Sequence, residues 1–191
     1  MKVYIAGHRE VEQLLPVAEC IAVMEEALTT LARGDAVLPL RQAVWQPDRA
    51  GLLGLMPAYL GSPQTLGVKV VTVFPGNRGT TYESHQGSVL LFECAHGRLL
   101  AMIDAGSITA IRTAAVSAVA TRLLAREEAG SLAILGSGTQ AAMHLDAICA
   151  VRPIARVRVW SRTPEHARRF VERAAARHRL AIAAVPSAEE A

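Results

Sequence analysis

The sequence has 191 residues, 51% hydrophobic and 19% charged, with a formal net charge of +3. That is ordinary globular composition, long enough to bury a core in one domain or two small ones, and no apolar run approaches the roughly 18 residues of a membrane span. The N-terminal MKVYIAGHRE lacks the charged and apolar regions of a signal peptide, and the 3 cysteines (Cys20, Cys94, Cys149) are scattered, so a reduced, cytoplasmic chain without a disulfide framework is expected.

In chain order, the first strong helix spans residues 16–33. Val17, Ile21, Met24, Leu28 and Leu31 fall on one face, Pro16 suits the first turn, and Gly34 suits the position after the last. Residues 36–104 read as strands: VLPLRQAVW, GLLGLMPAYL, LGVKVVTVF, GSVLLFE and RLLAMID are short apolar runs separated by turn residues. Ala95-His96-Gly97 is a hairpin turn between the last two. This predicts a mixed or antiparallel sheet preceded by one helix. A second helix, rich in small residues, follows over 107–126. The polar break 127–130 is read as a domain boundary, dividing the chain into 1–126 and 127–191. Beyond it the pattern alternates: strand 131–135, helix 138–150, strand 155–160, helix 164–179, strand 180–185. Such alternation predicts right-handed βαβ units on a parallel sheet.

Gly136-Ser137-Gly138 and the following Ala141 sit between a strand and a helix, the context in which a G-x-G-x-x-A pattern binds a dinucleotide. The first glycine allows the turn. The second lets the backbone approach a pyrophosphate, and the helix N-terminus, with Thr139 and Gln140 in its first turn, offers free N–H groups. The next strand ends in Ser161, Arg162 and Thr163, with no acid before Glu165. A carboxylate at that place favours NAD(H). A guanidinium between two hydroxyls favours the 2′-phosphate of NADP(H), the preferred reading.

Three bases stand where bases are costly. Lys69, one of two lysines, interrupts LGVKVVTVF; Arg112 lies on the apolar stripe of SITAIRTAAVSA; Arg41 interrupts VLPLRQAVW. Each has a plainer reading as a base whose head reaches solvent. Together they suggest a pocket for a small carboxylate-bearing amino or imino acid beside the dinucleotide site, hence a small-molecule oxidoreductase. Nine arginines between Arg152 and Arg179 read as a solvated helix face, not a nucleic-acid patch, because Trp160 and Phe170 are the only rings near them. Cys94 and His96 have no second ligand pair at metal spacing, so no metal is expected.

The stretches GLMPAYL, GVKVVTVFPGN, SHQGSVLLFE, GRLLAMIDAGSITAIRTAAVSAVATRLLAR, LGSGTQA and VRVWSRTPEHARRF resemble the ornithine cyclodeaminase/mu-crystallin family. The resemblance spans the whole chain. It implies an α/β protein in which an N-terminal α+β substrate and dimerisation domain, forming a homodimer, precedes a Rossmann-type domain. It also implies that Arg41, Lys69 and Arg112 bind the substrate carboxylate, that Lys69 takes part in catalysis, and that His85 lines the active site near the nicotinamide, where a histidine can donate a proton. SHQ and the WSRT turn are closer to the NADPH-dependent ketimine reductase branch. Gly54 stands where the ornithine-cyclising branch has an acid. The final AIAAVPSAEEA reads as a third strand and the head of another helix, so half of the cofactor domain, including the family's catalytic Asp, is expected to be missing. By itself the chain would then be inactive or feebly active. Reduction of imino acids, or the reverse oxidation of amino acids, is the leading expectation. A cyclodeaminase, which borrows and returns hydride while releasing ammonia, and a non-catalytic dimeric binding protein are the alternatives.

Overall fold

A computed structural model describes residues 2–191. A strand β1 (Tyr4–Ala6) and a short helix α1 (His8–Leu14) open the chain, before helix α2 (Val17–Ala32). Neither was expected, because three strand residues and two helical turns are too short to show a period. The remaining elements are β2 (Ala36–Val37), β3 (Gln42–Trp45), β4 (Leu52–Gly61), β5 (Gln64–Val73), β6 (His85–Phe92), β7 (Leu99–Asp104), α3 (Ala105–Leu124), β8 (Ser131–Leu135), α4 (Thr139–Cys149), β9 (Arg156–Trp160), α5 (Pro164–Ala175) and β10 (Ala181–Ala184). The expected strand VLPLRQAVW is broken: Leu38–Arg41 separates β2 from β3, and both pair with β4. Pro39, which lacks an N–H for the ladder, stands within the break.

By compactness the chain divides into two units, one of residues 1–16 and 25–109, the other of 17–24 and 110–191. The first is built on a mixed sheet of order β1-β7-β6-β5-β4-β2, with β3 also on β4; β1 runs parallel to β7 and the other pairs are antiparallel. Long hairpins between sequential strands explain that pattern. The second unit is built on a parallel sheet of order β10-β9-β8, linked by α4 and α5. Its core is formed by alternate residues of β9, Val157 and Val159, with Leu145 and Ile148 of α4 and Phe170 and Ala174 of α5. Arg156 and Arg158, the intervening residues of β9, lie exposed.

Helix α3 is fixed at both ends by charge. At its start the Asp104 carboxylate accepts hydrogen bonds from the Ser107 N–H at 2.7 Å and the Ser107 hydroxyl at 2.6 Å. This is an N-cap, a side-chain acceptor for an N–H that the helix leaves unpaired. His8 Nδ1 bonds the Ser107 hydroxyl at 2.6 Å, which ties the head of α1 to the cap. At the far end Arg152 is 9% exposed, and its Nη2 donates to the carbonyls of Thr121, Arg122 and Ala125 at 2.9, 2.8 and 2.7 Å. Its Nη1 donates to Val151 O at 2.7 Å. The guanidinium thus satisfies terminal carbonyls and complements the negative end of the helix dipole. The arginine-rich stretch is therefore no single solvated helix face: Arg152 is structural, Arg156 and Arg158 are on a strand, and Arg168, Arg169, Arg173 and Arg177 are on or just past α5.

Removing the fork should be costly. Arg152→Met takes the guanidinium donor from the carbonyls at the end of α3 and is expected to lower stability by about 1–3 kcal/mol in chemical denaturation, with Arg152→Lys intermediate. The cap gives a pH signature. Burial pushes the Asp104 carboxyl up, but the Ser107 hydroxyl, the Ser107 and Gly106 N–H groups and the charge of His8 together bring it below its ordinary value. A depressed carboxylate adds stability above its unfolded pKa and loses it as pH falls through the folded one. Asp104→Ala should therefore cost about 1 kcal/mol at neutral pH. In urea titrations, the stability gap between wild type and Asp104→Asn should close as the pH is brought below the ordinary carboxylate range.

Candidate functional site

The turn after β8 is shaped by Gly136, whose φ of 122° suits glycine and few other residues. Its N–H donates to Trp160 O at 2.8 Å, and the Ser137 hydroxyl donates to the Ser161 hydroxyl at 3.1 Å. The glycine turn and the turn after β9 are thereby held together. Gly138 is the N-cap of α4 and supplies no side-chain cap, so the first N–H groups of the helix have no side-chain acceptor. A Cβ placed at Gly136 or Gly138 would meet no atom within 4 Å. At Gly138 the backbone is extended, so any residue could adopt it, and the missing side chain serves room more than conformation. A pyrophosphate fits such a place: open space, unpaired N–H groups and the positive end of a helix dipole.

Thr139 and Gln140 lie exposed in the first turn of α4. The Gln140 carbonyl accepts from His144 Nδ1 at 2.7 Å, and His144 Nε2 lies in hydrogen-bond contact with the Ser117 hydroxyl at 2.9 Å, which links α4 to α3. In the neighbouring turn Ser161 is half-buried and Arg162 and Thr163 are exposed. The next acid, Glu165, faces Arg168 at 3.5 Å and Arg169 at 3.4 Å.

Lys69 lies in the middle of β5, paired with Met56 of β4 on one side and Val89 of β6 on the other. The strand is central in the sheet, not at its edge, and Lys69 is half-buried, with its ammonium donating to the Thr109 hydroxyl. Alternation along β5 and β6 puts Lys69, Val71 and Val73 on one face with Val89, Gly87 and His85. His85 opens β6 and is exposed. Arg41 is exposed and immediately precedes β3, where one more step of the β3–β4 register would set it opposite Met56, in the cross-strand row of Lys69. The sheet thus gathers Lys69 and His85 to one face, and Arg41 stands one residue before β3.

Arg112 departs from expectation. The buried stripe of α3 is formed by Ala110, Ile111, Ala114, Ala115, Ala118 and Val119, and Arg112 lies exposed at its flank. Its charge acts on Cys20: burial pushes that thiol up, and Arg112 pulls it down by less. Among the described residues, no three His, Cys, Asp or Glu side chains could share a metal ion, and no helix is long and apolar enough to cross a membrane. Sequence reading missed Thr109, quoted within SITAIRTAAVSA but not singled out. It also missed the Asp104 cap, for which an acid three residues before Ser107 at the head of an apolar run was an available signal.

The family model for ornithine cyclodeaminase/mu-crystallin proteins matches residues 1–191. The chain belongs to that family. Among curated relatives, it is 42% identical over 153 residues to the ketimine reductase mu-crystallin of Mus musculus, covering 78% of this chain and 49% of the relative. It is 34% identical over 168 residues to a Delta(1)-pyrroline-2-carboxylate reductase of Bacillus cereus, covering 88% and 52%. The chain thus spans about half the length of the curated relatives it matches. A solved structure of the Thermococcus litoralis Delta(1)-pyrroline-2-carboxylate reductase, in complex with NADH and L-proline, superposes with a TM-score of 0.93 at 34% identity, over 98% of this chain and 58% of that one. The iminosuccinate reductase of Paracoccus denitrificans, in complex with NAD+, gives 0.87 at 27% identity, over 96% and 56%. These neighbours support the α/β reading, with a mixed sheet followed by a parallel, Rossmann-type one.

Proposed function

We propose that this chain serves an NAD(P)-dependent oxidoreductase that reduces the C=N bond of a small imino (ketimine) acid, or in reverse oxidises the matching amino acid. The observation that carries the reading is one sequence holding both an open glycine cradle at the N-terminus of α4 and a lysine set half-buried in the central strand of a mixed sheet. The reductases it resembles, one of them bound to NADH and L-proline, support it.

In this reading Gly136, Ser137, Gly138, Thr139 and Gln140 hold the pyrophosphate through backbone N–H groups and first-turn side chains. Lys69, with Arg41 and Arg112, binds the substrate carboxylate, and the planar guanidinium groups can grip it bidentately. Fixing the carboxylate orients the imine carbon, which is the main catalytic contribution of these bases. The ammonium of Lys69 also polarises the bound imine. His85, on the Lys69 face of the sheet, is a candidate donor of the proton that the imine nitrogen takes up. A bound nicotinamide supplies the hydride.

Ser161, Arg162 and Thr163 favour NADP(H) over NAD(H). No acid stands at the end of β9, and Glu165 is occupied by Arg168 and Arg169. Self-association through the mixed-sheet unit is part of the same reading, supported by exposed Leu38, Leu40 and Val44 in and beside the short strands β2 and β3.

Three expectations test the reading. In fluorescence titrations NADPH should bind about tenfold more tightly than NADH, and the double variant Ser161→Asp, Arg162→Ala should remove or reverse that preference. Gly138→Ala should weaken dinucleotide binding about tenfold or more with little change in melting temperature, since its Cβ meets no protein atom. With the complete protein, a cyclic imino acid should drive oxidation of NADPH, and Lys69→Met should lower kcat/KM by about a hundredfold. A wild-type protein that neither binds a dinucleotide nor turns over imino acids would rule the reading out.

A further inference from the structure

We propose that Thr109 is the positioning residue for Lys69, a fixed acceptor that holds the ammonium in place for a substrate carboxylate. The proposal rests on the reading of Lys69 as a substrate-binding group, and deepens it.

Lysine carries a compact charge on a flexible four-carbon stem, so a strand position alone does not determine where the ammonium sits. Freezing such a stem is costly in entropy, and a site that relies on it needs a partner that fixes it beforehand. Thr109, in the second turn of α3, is suited to that task by its own bonding. Its hydroxyl donates to the Ala105 carbonyl at 2.6 Å, so its single proton is committed within the helix. Toward Lys69 it can present only lone pairs, and the ammonium donates to them. The bond to Ala105 also polarises the hydroxyl and makes its oxygen a better acceptor.

Threonine is stiff at χ1, and in a helix one of its two rotamers is the one that bonds a preceding carbonyl. The oxygen that Lys69 meets is thus held by a β-branched rotamer, by a helical carbonyl and by a helix whose first turn is itself pinned by Asp104. Arg112 follows three residues later on the same helix, a neighbouring position on its surface. One turn of α3 would then carry both the bracket for the lysine and a second carboxylate-binding base.

A threonine that merely completes its own helical turn would not affect the electrostatics of Lys69, whereas a bracket must. The 191-residue chain has two lysines, Lys2 and Lys69, so in this chain labelling lysine with 13C at Cε gives two side-chain signals, assigned with Lys69→Arg. Titrating wild type, Thr109→Val and Thr109→Ser by NMR reads the contact directly, without substrate. Removing an acceptor destabilises the charged form, so the Lys69 midpoint should fall by about half a pH unit or more in Thr109→Val. It should return most of the way in Thr109→Ser, and Lys2 should stay unmoved. In the complete enzyme Thr109→Val should raise the KM for the imino acid about fivefold or more, with a smaller change in kcat. If Thr109→Val does not fold, Thr109→Ala takes its place. A folded variant without the hydroxyl in which Lys69 titrates as in wild type would overturn the proposal. Absence of imino-acid binding in wild type would instead count against the functional reading, while the titration would still decide the bracket.

Discussion

Helix α3 depends on two charges placed at its ends. A helix leaves four N–H groups unpaired at its start and four carbonyls at its finish, and these need partners. Here the Asp104 carboxylate serves the first turn, and the buried Arg152 guanidinium gathers three carbonyls of the last. Between those anchors run twenty residues that carry Thr109, Arg112 and Ser117. Thr109 accepts from the Lys69 ammonium, and Ser117 meets His144 of α4.

The parts of this arrangement written in short-range pattern were legible in the sequence. The apolar period of α2, the alternation from β8 to β10 and the glycines between a strand and a helix each occupy one contiguous window, and the structure has them within a few residues of expectation. Arg152 could not be read that way. Its partners lie about thirty residues earlier, and nothing local distinguishes it from the eight arginines that follow. Lys69 and Thr109, separated by forty residues, are joined only by the sheet and the helix together. Arg112 shows the opposite failure: helical spacing placed it on the apolar stripe, but it is the one exposed position between Ser107 and Val119, where the other residues are buried or half-buried.

The mixed sheet brings together candidate residues that are far apart in the sequence. Lys69 and His85 come from two strands, and register and the two-residue pleat bring them to one face, with Arg41 one residue before β3. The chemistry such a face offers is anion binding with a titratable histidine nearby. The proposed imine reduction and a cyclodeamination differ in whether the hydride is kept or returned.

That difference can be measured directly. With a complete protein containing this chain, NADPH oxidation and ammonia release would be followed together during turnover of a cyclic imino acid and, separately, of ornithine. The account predicts one NADPH consumed for each imino acid reduced, and no ammonia from ornithine. Ammonia released from ornithine with no net change in nicotinamide would contradict it.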